Sequence, residues 1–267
     1  MNKTKIEWAD WTWSPVTGCL HNCPYCYAKR IVTRFSAHAE TNCEVIWNEQ
    51  GQEGPNRTID EPWTWDEKIQ PYPFGFEPTF HRYRLDEPQK IKKPSKIFVC
   101  SMADLFGEWV PDEWIEEVFK ACEAAPQHTY LFLTKNYLKA SKYKYRDNWW
   151  IGKTITNNDN SRLFEGDPWS VDRIDRANQF LSIEPIQGDI SDLKYYLYSF
   201  RWIIIGAETG QNKNKIIPKR EWIEDIVNQC KTAGVPVFLK SSLKSLMGDN
   251  FIQEWPAGIS ERLAEEL

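Results

Sequence analysis

The chain has 267 residues, 41 % of them apolar, and a formal charge of −5. This length suits one barrel-sized domain or two smaller ones and allows roughly 75 % of the unfolded surface to be buried, so a sizeable core is available. The acidic balance argues against a general electrostatic grip on nucleic acid. No run approaches the ~18 apolar residues of a membrane span, and an odd count of seven cysteines with no apolar leader before the first points to a reduced, cytoplasmic protein.

In chain order, short apolar runs bounded by turn residues alternate with helical patterns, the sequence form of βα units on a parallel sheet. The first run, residues 12–16, leads into a loop that holds Cys19, Cys23 and Cys26 with C-x3-C-x2-C spacing. Residues 40–95 then break the regularity with a proline-rich, aromatic-rich stretch that includes Trp47, Trp63, Trp65, Phe74, Phe80 and Tyr83. This stretch reads as an inserted lid, with His81 as a candidate substrate contact, although aromatic residues more often bury area. Further candidate strands cover 97–100, 130–134, 150–155, 180–183, 202–205 and 235–239. Pro111, Asp112 and Glu113 make a good first turn for a helix whose stripe is Ile115, Val118, Phe119 and Cys122. A second helix carries Ile223, Ile226, Val227 and Cys230 and stops at Gly234. Cys122 and Cys230 therefore belong to the core. The expected architecture is one domain over residues 1–267, with the insertion at about 40–95.

Three thiolates on one short loop hold a metal and leave a four-iron cluster one protein ligand short, which opens that iron to chemistry. Lys29 and Arg30 lie just downstream and favour the thiolate form electrostatically. Zinc held with His21, His38 or Cys43 is a second reading, although the paired C-x2-C knuckles of zinc ribbons are missing. Inert free thiols are a third.

Candidate strand ends are polar in a consistent way. They carry Cys100, Ser101 and Asp104, then Lys135, then Thr154, then Glu184, then Glu208, and finally Lys240 and Ser242. Functional groups of parallel barrels cluster at such ends. Polar loops and helix caps account for some of them on bland grounds. The lysines of 89–96 form the best basic patch, although a short charge run is usually just solvated surface.

The cysteine spacing, with Tyr25 before the third cysteine, resembles the signature of the radical S-adenosylmethionine superfamily. The segments 8–19, 98–107, 181–188 and 203–210 resemble a phage- and prophage-associated three-cysteine-motif family within it, over residues 4–240. The resemblance implies a partial (β/α)6 TIM-like barrel with the aromatic insertion after its first βα unit. It also implies a [4Fe-4S] cluster on Cys19, Cys23 and Cys26 that binds S-adenosylmethionine and, with one electron from a flavodoxin- or ferredoxin-like donor, yields a 5′-deoxyadenosyl radical. By position, Tyr25 would approach adenine, Ser101 and Asp104 the methionine amino group, and Lys135, Thr154, Glu184 and Glu208 the carboxylate and ribose. The superfamily's Gly-Gly-Glu on the second strand is replaced here by residues 101–104. Cys100 beside Ser101 resembles the hydrogen-donating cysteine of spore photoproduct lyase-like enzymes, while a lone strand cysteine more often simply packs. The substrate expected from this resemblance is a nucleotide or nucleic acid. A peptide or small metabolite, or a non-catalytic metal-binding role, are the alternatives.

Overall fold

A computed structural model describes residues 1–36, 57–157, 178–210 and 214–259. It is a mixed α/β fold with parallel sheet, and it divides into two compact units, Met1–Phe132 and Leu133–Leu267.

In the first unit, β1 (Asn2–Lys3) runs antiparallel to β2 (Trp11–Trp13). Next come β3 (Val16–Thr17), α1 (Tyr27–Phe35), β4 (Arg57–Ile59), the hairpin β5 (Thr64–Trp65) and β6 (Lys68–Ile69), then β7 (Thr79–His81) and α2 (Glu87–Lys90). The unit finishes with β8 (Lys96–Val99), α3 (Asp112–Glu123) and β9 (Thr129–Thr134), which ends just beyond it. β2, β8 and β9 pair in parallel. The expected strand over 12–16 is in fact two strands in different sheets, because Pro15 between them lacks a ladder donor. The Pro15 carbonyl instead accepts the His81 N–H at 2.7 Å. β3 then pairs with β7, and β7 with β4, in a small sheet of its own.

That small sheet absorbs part of the 40–95 stretch, of which residues 40–56, with Trp47, fall outside the described residues. Phe80 is fully buried and stacks on Trp114 at 5.2 Å. Arg57 lies over the Phe74 ring at 4.4 Å. Trp63 and Trp65 remain well exposed. His81 is a correction to its reading as a substrate contact. It is fully buried, its Nε2 is 2.8 Å from Thr17 Oγ1, and burial together with the Arg84 charge pushes its pKa down to about 2. It is a neutral pin between β3 and β7. The basic patch is also partly neutralised, since Lys96 pairs with Asp10 at 3.2 Å and Lys90 with Asp86 at 2.8 Å.

In the second unit α4 (Tyr137–Ala140) precedes β10 (Trp149–Ile155), β11 (Asn178–Ile183) and β12 (Trp202–Ile205), followed by α5 (Arg220–Ala233), β13 (Val237–Leu239) and α6 (Lys244–Met247). β10 to β13 pair in sequence order, all parallel. Successive strand residues face opposite sides, and here both sides are buried, which is why these strands read as unbroken apolar runs. One side sets Leu181, Ile183, Ile203, Ile205, Val237 and Leu239 against Ile223, Ile226 and Cys230 of α5. Each fully buried isoleucine contributes roughly 1.5–3 kcal/mol relative to exposure. The helix stops at Gly234, whose φ of 69° is the left-handed cap that glycine adopts without steric cost. The other side is aromatic, with Trp202 against Trp150, Phe180, Phe238 and Trp255.

Lys153 is buried inside β10 at 1 % exposure, with its Nζ 5.7 Å from the Tyr137 ring centre, and burial lowers its pKa to about 8. Lys153 is therefore more protonated in the unfolded chain than in the folded one between about pH 8 and 10.5, so its own contribution to stability rises with pH across that window. We expect Lys153→Met to stabilise the protein by about 2 kcal/mol at pH 7 and to abolish this rise. Urea denaturation at pH 7, 8, 9 and 10 checks it, and a variant whose profile parallels the parent would refute the charge penalty.

Candidate metal and cofactor site

The three candidate ligands sit on one loop of the first unit, between β3 and α1. Gly18 opens the loop with φ of 84°, and a Cβ there would lie 2.2 Å from the Glu77 carbonyl oxygen, so both backbone angle and space demand glycine. Its N–H bonds the Met102 carbonyl at 3.0 Å, and the next N–H, of Cys19, bonds the Phe76 carbonyl at 3.2 Å. Asn22 takes a second left-handed turn at φ 51°, supported by Lys29 Nζ on its side-chain oxygen at 3.0 Å. The Cys26 N–H bonds the Cys23 carbonyl at 3.1 Å, and the Cys26 sulfur caps α1 by accepting the Lys29 N–H at 3.3 Å.

Cys19, Cys23 and Cys26 are all half-buried free thiols. Burial pushes the Cys19 thiol up to about 12. The His21 backbone N–H opposes the rise, while the nearby Asp104, Cys23 and Cys26 add to it. Cys23 and Cys26 are therefore both within electrostatic reach of Cys19, and a cation in the loop would favour the Cys19 thiolate that burial opposes. Among the described residues no group of three or more His, Cys, Asp or Glu side chains is already gathered as a metal site. The donor set still fits iron in kind, with three soft ligands on one shaped loop and no disulfide competing for them. Of the other ligands considered for zinc, His38 and Cys43 lie outside the described residues. His21 is engaged elsewhere, its Nε2 2.8 Å from Asp104 Oδ2.

The turn that follows β8 backs this loop. Tyr27 donates its hydroxyl to the Ser101 carbonyl at 2.5 Å, and Ser14 and Ser101 Oγ stand 3.4 Å apart. Asp104 is buried, with one oxygen on His21 and the other accepting the Phe106 N–H at 3.1 Å. Its carboxylate is thus built into the loop support, a role that the sequence alone did not suggest. Trp109 stands edge-on to His21 at 4.8 Å. Cys100 directly follows β8, with φ of 56° and 2 % exposure. Its sulfur receives the Val16 N–H, yet burial wins and pushes the thiol up to about 12.

In the second unit the strand ends gather a different set. Thr154 and Ser182 are register partners on β10 and β11. Ser182 donates to Glu184 Oε2 at 3.3 Å, and Lys240 Nζ holds Glu184 Oε1 at 2.5 Å. Gly206 makes room for that pair, since a Cβ there would come within 2.6 Å of the Glu184 carboxylate oxygen. Lys240, noted in the sequence only as a polar strand end, is the ion partner of Glu184. Glu208 is buried, while Lys135 and Tyr25 are half-buried, and none of the three joins the bonds just described.

Residues 3–245 match a family model, DUF5131, described as a protein of unknown function. No curated protein matches the sequence. Among solved structures the fold is similar to spore photoproduct lyase complexed with dinucleoside spore photoproduct, with a TM-score of 0.56 and 10 % identity over 90 % of this chain and 79 % of that one. A spore photoproduct lyase mutant with bound AdoMet and dinucleoside spore photoproduct gives 0.52 and 10 % identity, covering 88 % and 78 %.

Proposed function

The chain belongs to the DUF5131 family, and for this member we propose a radical S-adenosylmethionine enzyme that modifies or repairs a nucleotide or nucleic acid. The observation that carries the proposal is the loop of Cys19, Cys23 and Cys26, three free thiols of which two lie within electrostatic reach of Cys19, on a backbone shaped by Gly18, within a fold similar to that of spore photoproduct lyase. When bound, a [4Fe-4S] cluster with S-adenosylmethionine supplies a 5′-deoxyadenosyl radical on receipt of one electron from an external flavodoxin- or ferredoxin-like donor. The chain's own part is to hold and orient. Cys19, Cys23 and Cys26 would be the ligands. Tyr25 would approach adenine, and Ser101 would face the methionine amino group. Asp104 would orient the loop through His21 and keep lone pairs for the same amino group. Lys135, Thr154, Glu184 and Glu208 are assigned to carboxylate and ribose, with Lys240 aiming the Glu184 carboxylate. Cys100 is the proposed hydrogen-atom donor, a role that needs the S–H form which burial favours.

The nucleic-acid half of the reading is supported by the dinucleoside bound to the similar structure. The charge of −5 favours instead a peptide or small metabolite. Salt-dependent binding of oligonucleotide separates these two.

The test is anaerobic reconstitution followed by a dithionite-driven assay for 5′-deoxyadenosine. Wild-type protein should form the nucleoside, and Cys100→Ala should form it at an equal rate while changing the substrate-derived products. Stoichiometric zinc with no cofactor cleavage would overturn the proposal, and unchanged products from Cys100→Ala would remove that residue's role.

A further inference from the structure

The indole Nε1 of Trp109 is buried and has no hydrogen-bond partner among the described residues. A buried donor left unpaired costs about 1–3 kcal/mol, and native structures rarely keep one without a use. Its place is specific. The ring meets His21, midway between Cys19 and Cys23, edge-on at 4.8 Å. Gly107 packs against the same indole so closely that a Cβ would come within 2.4 Å of Cζ2 and 2.5 Å of Cε2, the carbon bonded to Nε1. A turn closes around it, with the Gly107 N–H on the Asp104 carbonyl at 3.1 Å and the Val110 N–H on the Gly107 carbonyl at 2.9 Å. Asp104 in turn holds His21 at 2.8 Å. The ring is thus fixed from two sides, against the cysteine loop, with its one polar atom still to be satisfied.

We propose that Trp109 is a positioning residue whose indole N–H donates a hydrogen bond to a sulfur of the iron-sulfur cluster held by Cys19, Cys23 and Cys26. The assignment rests on the cluster reading made above. A donor to sulfur stabilises the more negative, reduced form and raises the reduction potential. In this arrangement Asp104 orients His21, His21 and Gly107 orient the indole, and the indole tunes the ease with which the site accepts its electron.

The experiment uses the reconstituted full-length chain, reduced and studied by pulsed electron-nuclear double resonance in H2O and D2O, with potentiometric titration alongside. Wild-type protein should show an exchangeable proton coupled to the cluster. Trp109→Phe, which keeps a ring and deletes the N–H, should lose that coupling and shift the midpoint potential to a lower value at equal iron content. Gly107→Ala, which keeps the indole but displaces it, should do the same. A reduced wild-type cluster with no exchangeable proton, or an unchanged coupling and potential in Trp109→Phe, would overturn the assignment alone. A wild-type chain that holds no iron-sulfur cluster would overturn it together with the enzymatic reading.

Discussion

Single Cys19→Ala, Cys23→Ala and Cys26→Ala chains should each retain less than about a tenth of the wild-type iron after anaerobic reconstitution and release no 5′-deoxyadenosine. Three thiols are what the loop offers, so removing any one leaves two, too few to hold a four-iron cluster that already lacks a fourth protein ligand. The loss should be chemical rather than structural, because all three side chains are only half-buried. Cys26 is the instructive case, since its sulfur also caps α1. Cys26→Ala should cost about 1 kcal/mol of stability, whereas Cys26→Ser should recover the cap and still lose the iron. Iron analysis and thermal melting on the same samples read both effects. A single variant that keeps full iron and cofactor cleavage would show that the ligand set lies elsewhere.

Gly18→Ala should do comparable damage without touching a sulfur. The left-handed angle alone costs a side chain about 1–2 kcal/mol, and the new Cβ would stand 2.2 Å from a backbone carbonyl oxygen that cannot swing aside. Relief requires the loop to lift from Glu77, which breaks the Gly18–Met102 bond and displaces Cys19. The expected result is a stability loss of about 3 kcal/mol or more together with poor iron loading. Gly75→Ala is the matched control. Its φ of 61° is equally left-handed, but nothing lies within 4 Å of its Cβ, so it should cost only about 1 kcal/mol and load normally. Denaturant melts and iron content decide it, and a Gly18→Ala chain indistinguishable from Gly75→Ala would refute the steric argument.

What could be read from the residues alone was whatever local patterning encodes. β10 to β13 announce themselves as apolar runs because both faces of a parallel sheet are buried. The helices α3 and α5 show their apolar stripe and their stop signals, and Cys122 and Cys230 are fully buried as expected of core thiols. The cysteine loop was visible because three like ligands at short spacing rarely arise without a shared partner. The partners of these groups were not visible, since they are set by tertiary pairing. His81 looked available and proved to be locked to Thr17, 64 residues earlier. Asp104 looked like a ligand-facing carboxylate, and nothing local announced its bond to His21, 83 residues away. Glu184 and Lys240 are 56 residues apart and meet only because parallel pairing aligns Ile183, Ile205 and Leu239 across three strands. The sequence showed both only as polar strand ends, and the glycine that makes room for them, Gly206, takes its meaning from what occupies the space beside it.

The separation of 83 residues between His21 and Asp104 has a bearing on biogenesis. Gly18, His21 and Tyr27 all take their bonds from residues 101–104, so on a growing chain the thiols emerge long before the turn that backs them has been synthesised. Contacts of such high sequence separation form late in folding, after the cost of closing the intervening loop has been met. A stretch of translation therefore exists in which Cys19, Cys23 and Cys26 are solvent-facing and unsupported, open to oxidants and to adventitious zinc. Slow growth at low oxygen, with iron supplied throughout synthesis, should accordingly give a larger loadable fraction than the same chain made quickly in air.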